Sequence, residues 1–160
     1  MEKVKQFLDK NMIEYAENFD VSLLSSIKLG GNIKVAIFPK REKDLEKVLC
    51  FLHANKIYFR VMGNASNVLF VSNVNYPVIF TCKMVDEICI KKNAVTVSAG
   101  VSISKFCDTL RKNTLSGIEG LIGIPASVGG AIVSNAGAFG YSISDHLVKI
   151  KVFEKGCKVI

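Results

Sequence analysis

Arginine is scarce in this chain: Arg41, Arg60 and Arg111 stand among scattered lysines, although the formal net charge is +7. That dispersal removes the compact basic patch of a nucleic-acid binder, and no fingerprint of such a module is present. The lysines read as solvated faces, and the excess charge suits small polyanions such as nucleotides and dinucleotides. Long apolar runs are missing too. No stretch of about eighteen residues escapes charge or glycine, and the first ten residues hold no uninterrupted apolar segment of a secretion signal. These absences predict a cytoplasmic protein with no membrane contact and no nucleic-acid partner.

No two of the five cysteines, Cys50, Cys82, Cys89, Cys107 and Cys157, form a C-x-x-C pair. Their odd number and apolar settings predict reduced core thiols, with neither a disulfide framework nor a zinc or other metal site. Two nucleotide signatures are also absent. No G-x-G-x-x-G joins a strand to a helix, and no Gly-Lys-Ser/Thr occurs, which excludes a nicotinamide-type Rossmann site and a P-loop. His53 and His146 read as surface or locally bonded residues, and Arg60 and Arg111 as solvated or structural ones.

What is present is a foldable chain of 160 residues, 49% hydrophobic and without low-complexity tracts. That length allows one domain or two small subdomains, burying roughly 70% of the surface the unfolded chain exposes. Seven glycines fall within residues 117–140, among few charges and many small side chains. Solvent loops usually recruit Asp, Lys and Ser instead, so this composition points to main chain closely approached by a buried polar cofactor. A second loop, Gly63-Asn-Ala-Ser-Asn67, offers consecutive amides, a hydroxyl and two carboxamides able to encircle phosphate oxygens; an ordinary turn would use the same residues.

Apolar periodicity predicts an amphipathic helix over residues 2–13, then a polar extended lead-in through Gly30-Gly31. Residues 33–38 read as a strand stopped by Pro39, residues 42–55 as a helix and 57–62 as a strand, a βαβ unit running into the 63–67 loop. Short β-prone runs at 68–71, 78–80, 87–90 and 94–98 suit an antiparallel sheet. Ser102 caps a helix that presents Ile103, Phe106, Cys107 and Leu110 on one face; residues 147–154 form a last strand, and Gly156 opens a turn. The predicted fold class is α+β: a lead-in at 1–32, a small βαβ lobe at 33–67, and a larger mixed lobe at 68–160, with small-residue loops lining the cleft between the lobes.

Taken in order, Ser26-Ile-Lys-Leu-Gly-Gly31, Gly63-Asn-Ala-Ser-Asn67, Ser98-Ala-Gly100, Gly117-Ile-Glu-Gly-Leu-Ile-Gly-Ile-Pro125, Val128-Gly-Gly130 and Asn135-Ala-Gly-Ala-Phe-Gly140 form a pattern. The chain thereby resembles the UDP-N-acetylenolpyruvoylglucosamine reductases, the MurB family. These belong to the flavoenzymes with a bipartite FAD-binding domain of the vanillyl-alcohol-oxidase/PCMH-like kind. The resemblance spans roughly residues 20–155, and the combination is far more specific than any piece. It implies that FAD is held by Gly63, Asn64, Ala65, Ser66 and Asn67, by Ala99 and Gly100, by Gly123, Ile124, Pro125, Ser127, Val128, Gly129 and Gly130, and by Asn135, Gly137, Ala138, Phe139 and Gly140. It also implies NADPH as reductant and UDP-GlcNAc-enolpyruvate as substrate, in peptidoglycan synthesis and hence in cell shape and division.

In that family the arginine of a Tyr-Arg-x-Ser motif, a late glutamate and a serine or cysteine proton donor all lie downstream of the matched region. No catalytic residue is therefore assigned to this chain, which is expected to lack the substrate-binding domain and to be inactive alone. Self-association, or a complementing C-terminal half, is the expected partnership. Two further readings stay open: a flavin- or dinucleotide-binding module without catalysis, and an FAD oxidase of the same superfamily, which would not account for the match at 135–140. Three positions depart from the family pattern. Ala65 and Ala126 stand where glycine is common, and Ser25-Ser26-Ile27 replaces Asn-Thr-Phe. Positive φ at either alanine would cost on the order of 1 kcal/mol.

Overall fold

The computed structural model describes residues 1–154 and the backbone of 158–159. The chain divides into two compact units, Met1–Met84 with Lys151–Ile160, and Val85–Ile150. In the first unit α1 (Glu2–Lys10) buries Val4 and Leu8, and α2 (Glu42–Ala54) buries Leu45, Val48, Leu49 and Leu52. The strands β1 (Glu14–Asp20), β2 (Asn32–Phe38), β3 (Arg60–Met62) and β4 (Val74–Phe80) form one sheet in the order β1-β2-β4-β3. β1 is antiparallel to β2, whereas β2, β4 and β3 run parallel. The expected βαβ unit exists as β2-α2-β3, with β4 inserted between its strands. Residues 78–80, expected in an antiparallel sheet, lie in that inserted parallel strand instead.

Alternation along β2 divides the core of this unit. Val35 and Ile37, with Ile79, pack against the buried faces of both helices, where Phe7 and Phe51 stack at 4.0 Å. Ala36 and Phe38 belong to the opposite cluster with Val78, Phe80, Phe70, Val21 and Ala65. There Phe38 and Phe80 stack at 5.6 Å, and Phe19 meets Phe38 edge-on. Pro77 lacks a ladder donor yet sits in an interior strand. The β2–β4 register shifts between Ile33 and Val35, opposite Val74 and Pro77, which is how the ladder accommodates it.

Glu14 accepts hydrogen bonds from Lys83 and Lys40, which hold its carboxyl below the usual carboxylate range. A depressed folded-state pKa stabilises above the unfolded pKa and is lost as pH falls through the folded value. Glu14→Gln is therefore expected to flatten the acid limb of stability below the ordinary carboxylate pKa, leaving the neutral-pH slope unchanged, as read by urea unfolding at stepped pH. An unchanged acid limb would contradict the assignment.

In the second unit β5 (Ile88–Lys91) and β6 (Ala94–Val97) make the expected antiparallel hairpin. The third helix, α3 (Ile103–Lys112), starts at Ser102, whose hydroxyl accepts from the Lys105 N–H at 3.2 Å as the capping reading predicts. A short α4 (Val128–Ser134) follows, then a two-residue-strand hairpin of β7 (Gly137–Ala138) and β8 (Tyr141–Ser142). Val101, Ile103, Cys107, Leu110, Leu121, Val128 and Ala131 form its core.

Several expectations are corrected. The lead-in contains β1, not only extended chain. Residues 68–71 are not a strand, and of 147–154 only Phe153–Glu154 is one (β9), paired with β10 (Lys158–Val159). Cys82, Cys89 and Cys107 are free, but Cys89 is exposed, and Cys50 is disulfide-bonded, so the picture of uniformly reduced core thiols fails at both. Burial pushes the Cys82 and Cys107 thiols up, away from reactive thiolate. Gly156 and Cys157 lie outside the described residues. Among the described residues no helix is long and apolar enough to cross a membrane.

Candidate functional site

The 63–67 loop leaves the carboxyl end of β3, a parallel strand, as the sequence places it. Thr81 anchors its stem by donating its hydroxyl hydrogen to the Met62 carbonyl at 3.3 Å. Ala65 has φ +50 and is buried against the Phe80 side of the sheet. The alanine that replaces a family glycine thus adopts the left-handed backbone, at a cost its buried methyl offsets by packing. Such a residue lets a short loop turn successive N–H groups to one side. Among the described residues, the backbone N–H groups of 64–67 and the side chains of Asn64, Ser66 and Asn67 have no protein hydrogen-bond partner. Ala65 is buried, Asn64 and Ser66 are half-buried and Asn67 is exposed, so this row of open donors stands at the rim of a packed core, where a ligand can reach it.

In the second unit the predicted residues sort into two kinds. Ala99 and Gly100 lie beside α4: the Gly129 N–H donates to the Ala99 carbonyl at 2.8 Å, Val128 N–H to Val101 O at 2.8 Å, and Ile103 N–H to Ala126 O at 2.9 Å. A Cβ on Gly129 would stand 2.8 Å from that of Ala99, so glycine is needed there for close packing of two segments. The Ser127 hydroxyl, fully buried, caps α4 by accepting from Gly130 N–H at 3.2 Å. The donors of Val128, Gly129 and Gly130 are therefore used within the protein. Ala126 has ordinary φ, unlike Ala65.

Other donors are open. Gly100 is buried, and the N–H groups of Ala99, Gly100 and Gly123 have no protein acceptor among the described residues. Gly123 has φ +92 with empty space where a side chain would point, so Ile124 and Pro125 continue from a bare stretch of main chain. In the 135–140 segment, Asn135 is a left-handed cap of α4, and its carboxamide oxygen accepts from the Ser142 hydroxyl at 2.7 Å. Gly137 and Ala138 pair with β8, and the turn residues Phe139 and Gly140 both have positive φ, 52° and 81°. That is the backbone a two-residue hairpin needs. It leaves the Phe139 ring 90% exposed at the tip.

One residue carries electrostatic weight that sequence reading passed over. Backbone N–H groups at Glu119 and Gly117 hold the Glu119 carboxyl below its usual range. The Glu two residues after Gly117 was the available signal. Among the described residues no cluster of three or more His, Cys, Asp or Glu side chains could hold a metal.

A family model described as an FAD binding domain matches residues 33–160. The UDP-N-acetylenolpyruvoylglucosamine reductase of Clostridium tetani is 32% identical over 167 aligned residues, covering 100% of this chain and 54% of the relative. That of Lactobacillus helveticus is 32% identical over 148 residues, covering 92% and 50%. The chain spans about half the length of the curated relatives it matches. Among solved structures, an alkyldihydroxyacetonephosphate synthase superposes with a TM-score of 0.63 at 17% identity, over 75% of this chain and 25% of that one. Cholesterol oxidase from Brevibacterium sterolicum does so with 0.59 at 20% identity, over 80% and 25%. At such identities these likenesses show a shared fold and nothing about role or substrate.

Proposed function

We infer that this chain, which belongs to the FAD binding domain family and is an FAD-binding region of the UDP-N-acetylenolpyruvoylglucosamine reductase (MurB) kind, grips the FAD pyrophosphate through the open amides of residues 64–67. The observation that carries this reading is that row of unpartnered donors, in a loop whose Ala65 is locked into the core. Peptide N–H groups bind phosphate oxygens without ordering long side chains, so little entropy is lost on binding. Gly63 and Met62 set the loop's exit from β3.

Ala99, Gly100 and Gly123 supply further donors in this reading. Ile124, Pro125, Ala138 and the α4 start at Ser127 to Gly130 make a wall of small residues that a flat ring can approach. Asn135, Gly137, Phe139 and Gly140 shape the turn beside it. We take the two compact units, Met1–Met84 with Lys151–Ile160 and Val85–Ile150, as the two flavin-binding lobes, in place of a division at residue 67 that would cut β4 from its sheet. FAD, when bound, supplies hydride-transfer chemistry, and the residues of this chain hold and orient it.

For the full-length protein we propose the reductase activity itself, NADPH-dependent reduction of UDP-GlcNAc-enolpyruvate in the cytoplasm. We assign no catalytic residue within these 160 positions. Ile122, Val133, Phe139 and Val148 are exposed apolar side chains, and we propose that further chain of the full-length protein, or a second copy, covers some of them. Comparing flavins tests the reading: pyrophosphate recognition predicts FAD binding at least about tenfold tighter than riboflavin, each charge-assisted hydrogen bond being worth ~1.5–3 kcal/mol. Equal affinities, measured by flavin fluorescence quenching, would remove the loop from the site.

A further inference from the structure

A second feature of the first unit borders the loop of open amides. Arg60, Met62, Val68, Phe70, Val74 and Tyr76, with Leu69, Val71 and Ser72, line an open groove of about 390 Å³. That volume falls in the range of small-molecule sites, which are mostly apolar with a few placed polar groups. Two of the apolar lining residues are unusually exposed, Leu69 at 54% and Val71 at 87%, whereas Phe70 and Val74 are buried in the core beneath them. The expectation of a strand at 68–71 rested on these same residues. Phe70 packs into the core, but the side chains of Val68, Leu69 and Val71 are left exposed.

The charge at the groove is equally specific. Arg41 pairs with Asp44 and Arg111 with Asp108, but among the described residues Arg60 has no carboxylate partner. Its guanidinium lies 5.5 Å from the centre of the Tyr58 ring, and Tyr58 meets Tyr76 edge-on at 4.8 Å. Tyr58, itself in edge contact with Tyr76, thus holds a planar cation at the groove with no carboxylate on its donors. A guanidinium matches carboxylate, sulfonate and phosphate oxygens in geometry.

We propose that this groove binds a small organic anion with a flat apolar body, its acidic group on Arg60 and its body against Val68, Leu69 and Tyr76. The site borders the flavin-binding loop but does not rest on the flavin reading. Its two walls are the stems of the 63–67 loop, since Met62 precedes that loop and Val68 follows it.

The test uses the full 160-residue chain and two fluorescent probes of nearly the same body. These are the anion 8-anilino-1-naphthalenesulfonate and the uncharged N-phenyl-1-naphthylamine. The expected result is one saturable site that prefers the anion by about tenfold, the effect of a charge-assisted hydrogen bond. Arg60→Met should erase that preference, Arg60→Lys should keep most of it, and Leu69→Glu should weaken both probes. AMP and FAD should not displace the anion. No saturable site, equal affinity for both probes, an unchanged preference in Arg60→Met, or stoichiometric displacement by AMP or FAD would each overturn the proposal. The last result would make the groove part of the nucleotide site.

Discussion

Gly31→Ala is expected to destabilise the protein by about 3 kcal/mol, the upper end of overpacking costs, and to lower Tm by roughly 10 °C for a chain of this size. The added Cβ would stand 2.6 Å from the Ser72 carbonyl carbon and oxygen and 2.8 Å from the Asn73 nitrogen. All three are backbone, so no side chain can swing aside. The surroundings are tied down as well: Gly31 N–H donates to Phe70 O at 3.1 Å, Val21 N–H donates to Gly31 O, and Asn32 N–H donates to the Asn73 side chain at 2.9 Å. Phe70 and Ala65 share one buried cluster, so displacing the 70–73 segment also disturbs the seat of the 63–67 loop. Thermal melting by circular dichroism checks the value. A Tm within about 2 °C of the parent would mean that this backbone crossing is far looser than its hydrogen bonds imply.

Ser66→Asp is expected to weaken FAD binding by about 100-fold or more while leaving the fold intact. Ser66 is half-buried, with no protein partner for its hydroxyl among the described residues. A carboxylate there would face the pyrophosphate, and like-charge juxtaposition at an interface costs several kcal/mol, where 100-fold is ~2.7 kcal/mol. Ser66→Ala should cost less than about tenfold, because the amides and not the hydroxyl do the holding. Titration of flavin fluorescence separates the two variants. Binding by Ser66→Asp within tenfold of the parent would place the phosphates elsewhere.

The elements that sequence made legible are those whose own periodicity matches their burial. Leu45, Val48, Leu49 and Leu52 recur at helical spacing and are all buried, and Ser102 both looks like a cap and acts as one. β1 was hidden because Glu14–Asp20 is a solvated edge strand with no fully buried residue; its pairing with β2, not its own pattern, makes it a strand. β4 was legible as β-prone but not as parallel, because Pro77 argued against an interior position and only the register shift reconciles it.

At the candidate site the small-residue loops were visible, yet their division of labour was not. Val128, Gly129 and Gly130 look in sequence like free donors at a helix start, and the fold spends their N–H groups on Val101, Ala99 and Ser127. The left-handed backbone at Ala65 could not be read from an alanine. It depends on the buried cluster that receives the methyl. The disulfide at Cys50 was equally beyond reach, since spacing without a C-x-x-C pair carries no geometry.

The most direct measurement is an amide-resolved NMR titration of the isotopically labelled chain with FAD. The account predicts saturable shifts, with slowed hydrogen exchange, at the N–H groups of residues 64–67, Gly100 and Gly123. The amides of Val128, Gly129 and Gly130, already bonded within the protein, should keep their exchange rates. A folded chain that binds no FAD, or one that binds it while residues 64–67 stay unperturbed, would contradict the claim that this loop holds the pyrophosphate.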